Sequence, residues 1–400
     1  MLLAYLSYPQ KNHVSREPVV SSRTVPAVTD LEDEFRKTSM AHPPPLSVDL
    51  VDYRDIRRGE GGRFEFNMSA SDVMVFLHIQ KTGGTTFGKH LVQDMDLEEP
   101  CRCENVPKKK KLLRKKKVKN KKNMYRIKCR CLRPGDSGEM WLFSRYSSGW
   151  KCGLHPDWTE LTSCVNRYLD ATERRSERRY FYVTFLREPV SRFLSEFKHV
   201  QRGATWKDAN HICNGRPPSP EELPDCYVGQ DWRRVGIDEF MACDSNLAIN
   251  RQTRMLANLE LINCYNTTGM ESEERDKVML ESAKENLLRM AFFGLTEMQA
   301  ESQYIFQETF NLKFKVKFLQ YGRDHASKIH DNLSEAHVKR IELLNHLDVK
   351  LYEFAKEVMT HRFGEIKGSD PHFEENFGHL ARGEENEISD ENDEEEDYSY

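Results

Sequence analysis

No run of about 18 apolar residues occurs in this chain, which excludes a transmembrane helix within it. The N-terminus, MLLAYLSYPQ, carries too short an apolar run for a signal peptide. The ATP-type phosphate loop, G-x-x-x-x-G-K-[ST], is also missing, which argues against a nucleotide phosphotransferase. Net charge is only −4 over 400 residues, so no global field draws the protein to a polyanion. The cysteines show no zinc-ribbon spacing. Two pairs are C-x-C, a poor geometry for a tetrahedral metal, and no cluster offers metal-ligand spacing.

What is present begins with VMVFLHIQKTGGTTF, from Val73 to Phe87. The apolar, β-branched run Val73–Ile79 predicts a buried strand, and Thr85 to Val92 predicts the first turns of a helix. Between them two glycines allow a sharp turn with inward-facing N–H groups, beside a lysine, hydroxyls and a helix N-terminus. That combination cradles a phosphate or another tetrahedral oxyanion. Here the lysine precedes the glycines, unlike the ATP-type loop.

Apolar residues make up 38% of the chain, enough for a sizeable core, and 31% of residues are charged. Ten cysteines, an even number, fall between Cys101 and Cys264, and sequons stand at Asn67, Asn266 and Asn332. Together these favour an oxidising secretory lumen over cytosol, with a glycoprotein as the product. Residues 1–70, with scattered prolines and little periodicity, read as a stem or linker. The tract from Lys108 to Lys122 would be a nuclear-localisation or nucleic-acid patch in isolation, or a solvated insert. Between C-x-C pairs it reads as a tethered basic loop that attracts polyanions.

Further on, Trp141, Trp150 and Trp158 cluster with Arg145 and His155. Tryptophan faces stack on sugars, arginine pairs with sulfate or carboxylate, and neutral histidine is the usual base near neutral pH. Tyr180–Leu186 predicts a second buried strand. It runs into Arg187 at the strand end and a helix opened by Pro189, with Ser195 about two turns along. Such a pair can hold a second phosphate.

The segments HIQKTGGTTFGKHLVQ, WLFSRYSSGWKCGLHPDWTELTSC, LREPVSRFLSEFKHVQRGATW and MAFFGLTE resemble those of heparan-sulfate 6-O-sulfotransferases, from about residue 72 to about residue 363. The resemblance implies an α/β, P-loop-NTPase-like sulfotransferase fold, a central parallel sheet flanked by helices. It implies a type II Golgi membrane enzyme that moves sulfuryl from 3′-phosphoadenylyl sulfate (PAPS) to the 6-hydroxyl of glucosamine in heparan sulfate, without a metal. The family's membrane anchor is absent from this sequence. By the same likeness, His78, Ile79, Gln80, Lys81, Thr82, Gly83, Gly84, Thr85 and Thr86 surround the 5′-phosphosulfate. Arg187 and Ser195 hold the 3′-phosphate, and Phe318, Leu319 and Gln320 lie beside the nucleotide. His155 is the base and Lys81 the catalytic cation. Lys128, Arg145, Trp150, His155, His199 and Trp206 bind saccharide. Ile127 replaces the first of a basic pair, and Gly322-Arg323-Asp324-His325 departs from the family pattern.

The expected organisation is a stem over 1–70, a catalytic domain over 71–366 with a basic insert at 104–128, and an acidic disordered tail over 367–400. From Glu384 to Asp397 the tail carries ten carboxylates and no basic residue. Helices are expected over Leu280–Met290 and Glu297–Phe310, strands over Ala291–Leu295 and Phe314–Leu319, and one long amphipathic helix from Ile341 to Val358. The competing reading is a catalytically silent protein that binds heparan sulfate through its basic insert.

Overall fold

Strand β1 (Asp72–Leu77) is buried along its whole length. A strand half-open to water would alternate, so β1 belongs inside a parallel sheet covered on both faces. The computed structural model describes residues 50–53, 66–107, 125–135, 138–173, 177–318 and 333–381, all within the unit His42–Tyr400. The basic tract, the acidic run, Leu319, Gln320, residues 322–325 and the Asn332 sequon lie outside them.

After β1 come helix α1 (Gly84–Gln93), the antiparallel hairpin β2 (Arg102–Pro107) and β3 (Tyr125–Arg130), and the short strand β4 (Leu142–Phe143). Helix α2 (Trp158–Thr172), strand β5 (Arg179–Leu186) and helix α3 (Pro189–Gln201) follow. Then come α4 (Ile237–Ala242), α5 (Arg251–Leu256), α6 (Ser272–Arg289), strand β6 (Phe292–Leu295) and α7 (Gln299–Phe310). Helices α8 (Glu335–Leu344), α9 (His346–Ser369) and α10 (Phe373–Ala381) close the described chain.

The main sheet has the order β4-β1-β5-β6, and every pairing is parallel. This is the α/β architecture the sequence predicts. Leu77 pairs with Thr184 and Leu186 with Leu295. The loops after β1, β5 and β6 therefore leave one edge of the sheet together, where ligands of open α/β sheets bind. Beneath that edge, Phe87 packs against Phe185, Phe306 and Phe318 with centroids 4.7, 5.6 and 5.7 Å away.

All ten cysteines are paired, as Cys101–Cys131, Cys103–Cys129, Cys152–Cys164, Cys213–Cys264 and Cys226–Cys243. The first two lie side by side across the hairpin. No helix among the described residues is long and apolar enough to cross a membrane.

Four sequence expectations need correction. Phe314–Phe318 is not a strand. Phe314 makes one isolated antiparallel bridge to Met95, and Phe314 and Phe318 turn into the aromatic core instead. The long helix from Ile341 to Val358 is two helices broken at Asn345. Its buried amide donates to the Ile341 carbonyl and accepts from Asn250 N–H, diverting the backbone. The boundary at residue 366 falls inside α9, and α10 continues the fold, with Phe373 and Phe377 rings 5.4 and 5.7 Å from Tyr304. The stem boundary at residue 70 is late as well. Val51 N–H donates to Tyr180 O at 2.9 Å, and Phe66 is buried against Phe181.

Candidate active site

The loop His78–Gly83 is shaped by its backbone. Gly83 adopts φ 76°, the left-handed region open chiefly to glycine, and Lys81 shares that region at φ 67°. Gly84 is required for another reason: a Cβ there would lie 2.2 Å from His78 Cδ2. The buried His78 ring occupies the space a side chain would take. Thr82 Oγ1 donates to Ile79 O (3.1 Å), and Thr296 Oγ1 donates to Thr82 O (2.8 Å). The loop is thus tied to itself and to the end of β6, with the N–H groups of the first turn of α1 at its mouth. Thr82, Gly83, Thr86, Thr296, Gln299 and Phe318 line the adjoining pocket. Backbone N–H donors around a concavity suit a phosphate or sulfate.

Arg187 extends from the end of β5 and is largely buried. Its Nη1 lies 3.4 Å from Lys81 O. The Gln252 side-chain amide bonds the Arg187 backbone twice, accepting its N–H at 2.8 Å and donating to its carbonyl at 2.9 Å. Gln252 and Thr253 N–H donate in turn to the buried Asp348 carboxylate at 3.1 and 2.8 Å. The break at Asn345 therefore serves the site, because it seats Asp348 against the start of α5, and α5 fixes Arg187. Burial lowers the guanidinium pKa of Arg187, and the nearby Glu297 opposes that shift.

On the other side of His78 lies an aromatic group. Its ring is stacked on Trp150 at 6.0 Å and tilted to His155 at 4.8 Å, and Trp150 lies 4.4 Å from His155. His155 Nδ1 is 3.3 Å from His78 O. A carbonyl only accepts, so Nδ1 is the donor in this contact, and in a neutral ring Nε2 then keeps its lone pair. Arg145 lies over Trp150, 5.4 Å from the ring centroid. His155 itself sits at φ 49°, immediately before the capping box of α2. There Asp157 accepts Glu160 N–H at 2.9 Å and Glu160 accepts Asp157 N–H at 3.1 Å. The second Glu160 oxygen accepts Ile212 N–H at 2.8 Å, joining the loop of residues 203–213 to the base of His155. Burial pushes both carboxyls up, and the Asp157 charge raises Glu160 further.

The second pocket is lined by Gln80, His155, His199, Trp206, His211 and Arg251, with Glu196 at its floor. Glu196 is buried between Arg192 and Arg251, and accepts Trp206 Nε1–H at 2.9 Å. Burial alone would raise its pKa. Arg251 and Arg192 overcome that and hold it at about 2. Burial, reinforced by Arg254 and Arg251, keeps His211 neutral down to about 3.

The residues expected from sequence fall into two groups that meet at His78. His78–Thr86, Arg187 and Phe318 border the first loop, while Arg145, Trp150, His155, His199 and Trp206 gather around the second pocket. Two stand apart. Ser195 is half-buried on α3 and is absent from the described lining of either pocket. Lys128 is exposed on β3, and its neighbour Cys129 donates N–H to Tyr146 O at 2.9 Å. Sequence reasoning missed Glu196, Arg251, His211, Glu160 and Thr296. Glu196 stands four residues after Arg192, which reads as an ordinary helix-surface pair. Nothing in the spacing marks Arg251, 55 positions away, as its second partner.

Residues 64–355 match the sulfotransferase family. The heparan-sulfate 6-O-sulfotransferase 2 of Gallus gallus is 51% identical over 304 residues, 75% of this chain and 70% of that protein. Human heparan-sulfate 6-O-sulfotransferase 1 is 52% identical over 301 residues, 74% of this chain and 68% of its own. Human heparan-sulfate 6-O-sulfotransferase 3 is 51% identical over 307 residues, covering 76% of this chain but only 60% of the relative.

Proposed function

Because the chain belongs to the heparan-sulfate 6-O-sulfotransferase family, we propose that it moves a sulfuryl group from PAPS to the 6-hydroxyl of glucosamine in heparan sulfate. The observation that carries this reading is the meeting of two sites at one histidine pair: a backbone-built anion loop on one side of His78, a polar and aromatic groove on the other. The vacancy that Gly84 leaves for His78, and the left-handed Gly83, make a cradle suited to the 5′-phosphosulfate. Arg187 lies beside it for the 3′-phosphate. PAPS supplies an activated sulfuryl group on a good leaving group.

In this reading His155 Nε2 accepts the proton of the sugar hydroxyl as it attacks. The contact to His78 O holds the required tautomer. Lys81 and the loop N–H groups stabilise charge on the departing phosphate oxygen. Trp150, Trp206, His199 and Arg145 orient the acidic sugar. The five disulfides suit an oxidising secretory compartment, and the Golgi lumen is the proposed location.

The test is incubation with radiolabelled PAPS and 6-O-desulfated heparin, followed by disaccharide analysis. Label at the glucosamine 6-position is expected. Binding of the polysaccharide without any transfer would favour a silent polyanion-binding protein.

A further inference from the structure

The hairpin β2–β3 has an inner and an outer face. Residues directly opposite in an antiparallel pair share a face, and faces alternate along each strand. Cys103 is opposite Cys129, which is buried, and Cys103 Sγ reaches the Val92 carbonyl at 3.6 Å. The cysteines therefore share the face that is buried at Cys129, taken as the inner one, although Cys103 itself is exposed. Arg102 opposite Arg130 and Glu104 opposite Lys128 make the outer one, and all four are exposed. Two arginines directly across a strand pair repel each other. Among the described residues neither they nor Lys128 form an ion pair. The hairpin holds this unfavourable pair because the adjacent disulfides lock it.

The hairpin is bonded to the segment that precedes the active-site aromatics. Cys129 N–H donates to Tyr146 O at 2.9 Å, and Trp141 N–H donates to Cys131 O at 3.1 Å. Arg145 lies over both Tyr146 (5.2 Å) and Trp150 (5.4 Å), and Trp150 touches His155. The hairpin backbone is thus held against the segment that carries Arg145 and Trp150.

Resting on the function proposed above, we infer that Arg102 and Arg130 form a further anion subsite, which grips a sulfate or carboxylate of the polysaccharide outside the reacting sugar. Lys128 and Arg145 lead toward it, and the repulsion between the arginines is relieved when an anion lies between them.

The test uses the full chain with Arg102→Gln and Arg130→Gln together, assayed on polymeric 6-O-desulfated heparin and on a short oligosaccharide of the same composition. KM for the polymer should rise roughly 5-fold or more at low salt, while kcat and the short acceptor's KM stay unchanged. The salt dependence of the polymer's KM should become shallower. Arg102→Lys with Arg130→Lys should restore most of the affinity, and neither variant should lower the melting temperature. An unchanged polymer KM, or an equal rise on both acceptors, would overturn the subsite. Loss of binding to anionic phospholipid vesicles with no change in KM would assign the face to a membrane and equally overturn it. If the wild type transfers sulfuryl to nothing, the proposed function falls. Elution from immobilised heparin then still decides the subsite, since the double variant should elute at clearly lower salt.

Discussion

The two halves of the site are built by different means. The loop after β1 is one unbroken stretch of sequence whose recognition groups are largely backbone N–H donors, held by hydroxyl-to-carbonyl bonds from Thr82 and Thr296. The groove beyond His78 draws on side chains from α3, α5, the loop before α2 and the segment of residues 203–213, brought together by a buried ion pair network and the Cys213–Cys264 disulfide. A backbone cradle fits one fixed tetrahedral anion. A side-chain groove can be re-cut for another sugar without disturbing it. Chemistry common to a family can thus sit in the contiguous element and specificity in the dispersed one.

The two halves meet at the His78–His155 pair, and His155 is the proposed base, so its loss should have the largest effect. His155→Ala should lower kcat by about 10²–10⁴ while leaving the thermal shift produced by adenosine 3′,5′-bisphosphate intact. Turnover within a few-fold of wild type would remove it as the base.

Next comes Glu196, the floor of the groove. Glu196→Ala removes the carboxylate shared by the buried Arg192 and Arg251, leaving Arg192 with Asp348 at 3.9 Å, a cost of about 3–5 kcal/mol. The melting temperature should fall well below wild type, with the Trp206 side of the groove most affected. The sign with pH follows from its depressed pKa. The stabilisation is complete above the ordinary value of 4.5 and is lost as pH falls toward about 2. Acid unfolding monitored by circular dichroism should show that loss in the wild type. A Glu196→Ala protein as stable as wild type at neutral pH would contradict the network's role.

Gly84→Ala breaks the other half. Its Cβ would meet the His78 ring at 2.2 Å, and such overpacking costs about 1–3 kcal/mol. Affinity for adenosine 3′,5′-bisphosphate, measured by calorimetry, should drop roughly tenfold, while heparin binding stays near normal. Equal losses on both ligands would mean the halves are not separable.

The smallest effect is expected at Glu160. Its raised pKa means the folded state holds a proton that the unfolded chain gives up, so stability declines as pH rises through the shifted range. Glu160→Gln retains an acceptor for Ile212 N–H and should flatten that decline in melting temperature between pH 5 and 8 or so. A slope identical to wild type would place the titration elsewhere.

The contiguous half was legible because strand, glycine turn and helix start are local signals. Val73–Leu77, Gly83, Gly84 and the helix opened by Pro189 could all be read from period and turn chemistry. In the dispersed half, the tryptophan cluster marked Arg145 and His155 by residue chemistry, while His199 and Trp206 were legible only through resemblance to a known family. Glu196 and Arg251 stayed hidden because tertiary packing, not spacing, makes them partners. Asn345 hid the helix break, since the apolar period continues through it while its amide bonds elsewhere. Phe314 and Phe318 looked like a strand because core-seeking aromatics at short spacing mimic one.

The paired C-x-C cross-links act as a gauge of alignment. Cys101 faces Cys131 and Cys103 faces Cys129. Slide one strand by two residues either way, the smallest slip that keeps every side chain on its face, and only one of the two bonds can close. Oxidation therefore selects a single alignment and fixes it irrespective of what connects the strands. The segment of residues 108–124 can then lengthen, shorten or change composition between relatives while Lys128, Arg130 and Tyr146 keep their places. Evolution is free to vary the loop, because the cysteines measure the strands.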